Sequence, residues 1–125
     1  SVALPIDGDI LALQAKIWAA QNREIENAYE YAMTLVRKNP TDIIAWDTLG
    51  VVVAAREGAP AGIEILSRVA EVSVKCSALF MHLGDMYVET GEYDLARDAY
   101  LRAIDLSDDG LVSVPAINKK LRILK

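Results

Sequence analysis

The side chains that most often perform chemistry are sparse in this sequence of 125 residues. His82 is the only histidine and Cys76 the only cysteine. Neither has a second such residue three or four positions away, the spacing that would place two metal ligands on one helix face. Asp85 and Glu89 form a carboxylate pair, but their separation of four residues is also that of two neighbours on a helix surface. No phosphate-binding glycine loop, nucleophile elbow or zinc-protease motif occurs. The sequence therefore predicts a protein that is not an enzyme, with no metal site and no cofactor.

The composition indicates closely packed helices. Hydrophobic residues make up 53% of the chain and aromatic residues only 6%, so the core must consist mainly of Ala, Leu, Ile and Val. Together with few Gly and Pro residues, this predicts an all-α domain. The net charge of −5 disfavours nucleic acid as a partner, because phosphate contacts need a basic surface. The last fifteen residues carry four cations and no acid, and a solvated helix face explains them better than an anionic partner does: Lys119, Lys120, Arg122 and Lys125.

The expected compartment follows from what the sequence does not contain. A single cysteine cannot form an intrachain disulfide, which fits a reducing environment. There is no run of 18 apolar residues, so we expect no membrane insertion. No signal peptide is visible at the N-terminus. The sequence favours a cytoplasmic location and leaves the bacterial periplasm open.

An internal repeat organises the chain. Sliding the sequence along itself until position 46 falls on position 80 places three residues on three similar ones: Trp46, Leu49 and Gly50 on Phe80, Leu83 and Gly84. The predicted repeat positions are either large or very small. Large residues stand at Trp46, Leu49, Phe80, Leu83, Tyr87 and Tyr100, and very small ones at Gly50, Gly62, Gly84, Ala96 and Ala103. Very small residues let the two helices of a hairpin touch, and large ones fill the space between neighbouring hairpins.

This spacing resembles the tetratricopeptide repeat, a helical hairpin of about 34 residues. The resemblance implies an all-α, right-handed superhelical solenoid of antiparallel helix pairs, with about seven helices. We expect one domain over residues 1–125, with repeats at about 9–42, 43–76 and 77–110 and a capping helix at about 113–125. The amphipathic last helix suits a cap better than a membrane or a calmodulin-like partner. Because Pro5 lies close to one repeat before Pro40, we expect the chain to be the C-terminal part of a longer array.

The resemblance also implies a function, namely a protein-protein interaction module with a scaffold or adaptor role. In this family the first helix of each hairpin lines a concave face that holds a peptide or helical segment of a partner. The positions carried over to this chain are Leu13, Ile17, Asp47, Thr48, Val51, Met81, His82, Asp85 and Glu89. This wall is apolar at one end and acidic at the other. It lacks the Lys, Arg and Asn residues with which some family members clamp acidic tails, so an apolar or amphipathic segment with a basic flank suits it better.

A second hypothesis gives these residues a structural role. Ile10, Leu13 and Ile17 form an apolar stripe that an upstream repeat or a second copy of the chain could cover. The second copy would make a homodimer through the N-terminal helix. The chain would then be the terminal segment of a longer bacterial scaffold, in secretion or envelope assembly, acting through array geometry or self-association. The sequence leaves both hypotheses open.

Overall fold

The computed structural model describes residues 8–73 and 75–124, with side chains from Ala12 onward, and this part of the chain is entirely helical. Seven α-helices follow one another: α1 Gly8–Ala20, α2 Ile25–Lys38, α3 Ile43–Glu57, α4 Ala59–Val72, α5 Ser77–Glu89, α6 Tyr93–Asp105 and α7 Val114–Ile123. A short 3-10 turn at Ser107–Asp109 precedes α7. The all-α prediction is confirmed, whereas Pro5 and the expected upstream repeat lie outside the described residues.

Five of the seven helices begin at a constant interval. The second helices of the three hairpins start at Ile25, Ala59 and Tyr93, which are equally spaced along the chain. The first helices of the second and third hairpins start at Ile43 and Ser77, and the same interval separates them. The interval equals the repeat of the sequence, so each hairpin corresponds to one copy of the repeat.

Local signals set the helix ends. The side chain of Asp42 caps α3 by accepting a hydrogen bond from the Ile44 backbone N–H at 2.9 Å. Ser113 caps α7 in the same way, and a proline lies in the first turn of that helix. Gly58 alone separates α3 from α4 and has a φ of 106°, a backbone conformation that side chains disfavour. The second hairpin is therefore closed by a one-residue turn.

The order of packing makes the molecule a superhelical solenoid. Each helix packs against the next one in the chain, and the first helices also touch each other, α1 with α3 and α3 with α5. The three first helices therefore lie side by side along one face of the molecule. This arrangement confirms the predicted solenoid of stacked helix pairs.

Very small residues stand where two helices cross. A Cβ added to Gly50 would lie 2.3 Å from Cδ2 of Leu66, and one added to Gly84 would lie 2.5 Å from Cε1 of Tyr100. The two contacts are equivalent, since the glycine and its partner occupy matching positions in consecutive repeats. Gly62 approaches α3 and α5 in a similar way. Only glycine fits these crossings without displacing a buried side chain.

The core is continuous through the three hairpins and is held together by aromatic residues. Buried alanines, among them Ala12, Ala15 and Ala19, form the core side of α1. Trp46 packs against both the first and the second cluster of buried residues, and Phe80 and Tyr87 against both the second and the third. These large side chains bridge consecutive hairpins, so each hairpin buries its apolar face against its neighbours. In the described part of the chain, no helix has the length and apolar character needed to cross a membrane.

Candidate binding groove

A groove lies along the face where the first helices of the three hairpins run side by side. Its volume is about 680 Å³. α1 and the turn after it contribute Lys16, Ala19, Ala20 and Asn22, α3 contributes Val51, Ala54 and Ala55, and α5 contributes Met81, His82, Asp85, Met86 and Glu89. Small apolar side chains and two methionines make up most of this lining. The groove therefore presents an adaptable apolar surface with a few polar groups at its edge.

Five of the nine predicted groove residues line it, namely Val51, Met81, His82, Asp85 and Glu89. Leu13 and Ile17 lie on α1 and are 60% and 41% exposed, but they do not line this groove. The residues of α1 that do line it come from the adjacent side of the helix. The side chain of Ile10 lies outside the described residues.

The expectation that Asp47 and Thr48 form part of an open wall is wrong. Both are fully buried, with none of their surface exposed. Thr48 donates its hydroxyl hydrogen bond to the backbone carbonyl of Ile44, one turn earlier in the same helix. Packing against both α1 and α5 covers these two positions of the central helix. They therefore lie beneath the groove surface instead of facing a partner.

Asp47 is paired with the single histidine. Nδ1 of His82 lies 2.8 Å from Oδ1 of Asp47, which joins α5 to α3. The other carboxylate oxygen, Oδ2, is buried and has no hydrogen-bond partner among the described residues. The side chain of His82 is 18% exposed. The groove thus has an imidazole at its floor and a buried carboxylate directly behind it.

Asp85 is also engaged within the protein. Its Oδ1 accepts a hydrogen bond from the Tyr100 hydroxyl at 2.6 Å and from Nζ of Lys120 at 2.8 Å. Burial, together with the neighbouring Asp85, raises the pKa of the Tyr100 phenol, so this hydroxyl stays a hydrogen-bond donor. Lys120 belongs to α7, so one cation of the predicted solvated face instead ties the last helix to α5. Of the three acidic residues predicted for the wall, only Glu89 has no ion-pair partner among the described residues.

The start of α5 is held by a residue far along the chain. Asp109 accepts hydrogen bonds from the backbone N–H and the hydroxyl of Ser77, which is fully buried. Desolvation acts to raise the pKa of Asp109, but the hydrogen bonds donated by Ser77 and Leu111 outweigh it and leave that pKa lowered. Burial raises the pKa of the neighbouring Cys76 thiol. A buried thiol that keeps its proton is a poor nucleophile, and this end of α5 is a structural joint.

The described residues contain no group of three His, Cys, Asp or Glu side chains that could hold a metal ion. An aspartate that orients a histidine is also part of a hydrolase triad, which further needs a nucleophile within hydrogen-bond reach of the imidazole. No described hydroxyl or thiol forms a hydrogen bond with His82.

Comparison with known proteins defines the class of fold. No protein-family profile matches the chain, and neither does any curated protein sequence. Solved structures do match. The crystal structure of SycD, the type III secretion translocator chaperone of Yersinia enterocolitica, in an alternative dimer form, superimposes with a TM-score of 0.73 at 16% identity. The match covers 94% of this chain and 90% of SycD.

A second match is the TPR domain of Sgt2 from Aspergillus fumigatus, with a TM-score of 0.74 at 18% identity. It covers 98% of this chain and 79% of the Sgt2 chain. At such low identity the likeness concerns the fold alone. The chain therefore has a tetratricopeptide-like superhelical fold, of a kind found in a secretion chaperone and in a TPR domain.

The sequence reasoning missed several groove residues and most of the polar ties, by which we mean hydrogen bonds and ion pairs between side chains of different helices. Lys16 stands at the repeat position of Gly50 and Gly84, and its long cationic side chain lines the groove. The two ties from α5 do carry a signal. Asp47 and His82 are separated by 35 residues, and so are Asp85 and Lys120. A search of the sequence for an acidic and a basic residue separated by 35 positions, one more than the repeat, could have found both pairs.

Proposed function

We propose that the chain is a tetratricopeptide-type interaction module that binds an apolar or amphipathic segment of another protein in the groove between α1, α3 and α5. The observation that carries this proposal is the lining of the groove. The short side chains of Ala20, Ala54 and Ala55 leave the groove open. Met81 and Met86 supply flexible side chains that fit irregular apolar surfaces. Its volume of about 680 Å³ lies within the range of about 300–1,000 Å³ typical of binding pockets.

The charges of the groove narrow the choice of partner. Among the described lining residues, Lys16 is the only cation, and a clamp for an acidic tail needs several. Glu89 is the lining carboxylate without an ion-pair partner there, and it stands at the end of α5. A basic residue at one end of the bound segment would meet this side chain. The partner segment is therefore apolar along most of its length, with a positive flank.

The fold supports an interaction module more than an enzyme. SycD is a chaperone, and Sgt2 contributes a TPR domain to the comparison. Solenoids of helix pairs offer long open faces for binding other proteins. We extend this general role to the present chain, together with membership of the tetratricopeptide repeat family, on the basis of the groove and the recurring helix starts.

The proposal is tested by adding a charge to the groove without disturbing the core. Ala55 is an exposed lining residue, so Ala55→Glu should leave the melting temperature unchanged. Leu101→Glu is the matched control, because Leu101 is 47% exposed on α6 and away from the groove. Proteins captured by the wild-type chain are identified by mass spectrometry, and their affinities are then measured with both variants. We expect a loss of about tenfold or more for Ala55→Glu only. Equal affinities for both variants would place the binding surface elsewhere.

A second candidate function is self-association through α1. Leu13 and Ile17 carry it, because two large apolar side chains on one helix face are 60% and 41% exposed. Sedimentation should then show a dimer that Leu13→Lys dissociates. Ile123→Lys is the control, since Ile123 is 78% exposed on α7 at the other end of the molecule. A chain that remains monomeric at all concentrations contradicts this role.

A further inference from the structure

Asp47 is an exception to the repeat. At the same position of the repeat, α1 carries Leu13 and α5 carries Met81, so the central helix has an acid where its neighbours have apolar residues. The side chain of Asp47 is fully buried, and its Oδ2 has no hydrogen-bond partner among the described residues. Burying a carboxylate is unfavourable, and replacing a buried ion pair by apolar residues is often neutral or stabilising. Stability alone does not account for this residue.

The hydrogen bond that the Asp47 carboxylate accepts fixes the orientation of His82. Nδ1 lies 2.8 Å from the Asp47 carboxylate and must donate to it, so Nδ1 carries a proton. No described residue forms a hydrogen bond with Nε2. Among the described side-chain nitrogen and oxygen atoms, Oδ2 of Asp47 is the only one that is both buried and without a hydrogen-bond partner, so Nε2, which also has no partner, is not buried. Nε2 therefore keeps access to solvent, and His82 lines the groove. When the imidazole is neutral, Nε2 holds the lone pair and accepts a hydrogen bond from whatever occupies the groove.

The charges around Nε2 favour a cationic donor. Three carboxylates belong to or lie behind this part of the groove, those of Asp47, Asp85 and Glu89. Two ammonium groups oppose them, those of Lys16 and Lys120, and the second is held by Asp85. When the imidazole is neutral, these three carboxylates and two ammonium groups together carry a net charge of −1.

We infer that the Asp47–His82 pair is the polar anchor of the groove and that it selects a segment presenting a lysine or arginine side chain between apolar residues. His82 would accept the hydrogen bond, and Asp47 would orient the ring and supply the negative charge. The inference rests on the proposed function, because it assigns a partner chemistry to the same groove. It places the preferred cation over the centre of the groove, whereas Glu89 meets a positive flank at its end.

The test uses defined peptides. Fluorescently labelled amphipathic peptides of about twelve residues, roughly three helical turns, carry Leu, Ala and Met on one face, Gln on the opposite face and one guest position at the centre of the apolar face. The guest is lysine, norleucine or glutamate. Norleucine keeps an apolar stem and removes the ammonium group, so the ratio of its dissociation constant to that of the lysine peptide isolates the anchor. We expect a preference for lysine of about tenfold in the wild-type chain, as for one hydrogen bond to a charged group.

Two substitutions locate the preference. Asp47→Leu introduces the residue that α1 carries at this position, and His82→Phe keeps a ring without nitrogen atoms. In both variants the preference for lysine over norleucine should fall to about one, while Leu101→Glu should leave it unchanged. Asp47→Leu alone leaves the Nδ1 N–H of His82 without its acceptor and should lower the melting temperature, whereas combining it with His82→Phe replaces both partners by apolar residues and should recover it. A lower melting temperature combined with an intact preference would make the pair a structural tie and overturn the inference.

The outcomes separate this inference from the proposed function. Peptides that bind and are lost with Ala55→Glu, but show no preference among guests, overturn the anchor and leave the groove standing. Binding that Ala55→Glu does not weaken lies outside the groove and overturns the proposed function as well. If none of the peptides binds, both proposals fail. A preference for the glutamate guest reverses the predicted sign of the anchor and overturns it alone.

Discussion

Replacing Gly84 by alanine tests how closely the two helices of the third hairpin pack. The added Cβ would lie 2.5 Å from Cε1 and 2.6 Å from Cδ1 of Tyr100, far inside the optimal carbon–carbon separation of about 3.5–4.0 Å. The ring has no room to move, because Tyr100 is 2% exposed. Its hydroxyl also donates a hydrogen bond to Asp85 at 2.6 Å. Because the ring cannot move, α5 and α6 would have to move apart.

The expected magnitude follows from two opposing contributions. Overpacking a buried site by one methyl group typically costs about 1–3 kcal/mol. Replacing glycine by alanine inside a helix returns about 0.8–1.0 kcal/mol, because alanine is the better helix former. Since two ring atoms of a fixed side chain are overlapped, we place the net loss at about 1–2 kcal/mol. For a domain of this size, that lowers the melting temperature by roughly 3–8 °C.

Thermal and urea unfolding followed by circular dichroism measure the loss, and a double-mutant cycle identifies its cause. In a Tyr100→Ala background the ring that the new Cβ would overlap is absent, so the same alanine should cost less than about 0.5 kcal/mol. An unchanged or higher melting temperature for Gly84→Ala would refute the packing argument. A penalty that persists in the Tyr100→Ala background would show that the clash does not involve the ring.

The hydrogen bonds of Asp109, the burial of Cys76 and the ion pair of Lys120 give three further predictions. Asp109→Ala removes the acceptor that holds Ser77, so stability should fall by about 1 kcal/mol in urea unfolding. Because the pKa of Asp109 is lowered in the folded state, its contribution is present above the ordinary carboxyl pKa and is lost as the pH falls through the folded value. The variant should therefore show a weaker acid dependence, and an equal dependence would contradict the assignment. Cys76 should react with iodoacetamide much more slowly in the folded chain than in urea, since burial raises its pKa; equal rates would disprove its burial. Lys120→Met should cost less than about 1 kcal/mol, because the ion pair with Asp85 is partly exposed. The wild-type advantage should disappear in high salt, and an advantage insensitive to salt would point to packing instead.

The fold was largely predictable because its determinants recur. A glycine in the first helix of a hairpin and a large residue in the second mark a helix crossing, and the same pair appears as Gly50 with Leu66 and as Gly84 with Tyr100. Each crossing places the next one, since neighbouring hairpins share their large side chains. Two such pairs at one interval therefore fixed the stacking of the helices, even though the first repeat shows few of these residues.

The groove was less predictable, because the repeat position of a residue predicts the direction in which its side chain points but not how deeply that side chain is buried. Asp47 and Met81 occupy the same repeat position, yet the first is fully buried and the second lines the groove. The difference arises from their neighbours: α3 is covered by helices on both sides, whereas α5 is followed by the short α7. Ion pairs between helices, such as the one between Asp85 and Lys120, likewise depend on how far the helices are offset.

That offset links the two ties and shows which helices they connect. Asp47 pairs with His82, and Asp85 with Lys120, each across 35 residues, so consecutive first helices meet one residue out of register with the repeat. The same offset takes Leu13 to Thr48, which cannot form an ion pair and whose hydroxyl is already bonded within its own helix. Among the described side chains, α1 is therefore joined to α3 mainly through small alanines, while polar ties connect α3, α5 and α7. A binding anchor needs a rigid support, and Asp47 and His82 lie on the two helices that such a tie holds together.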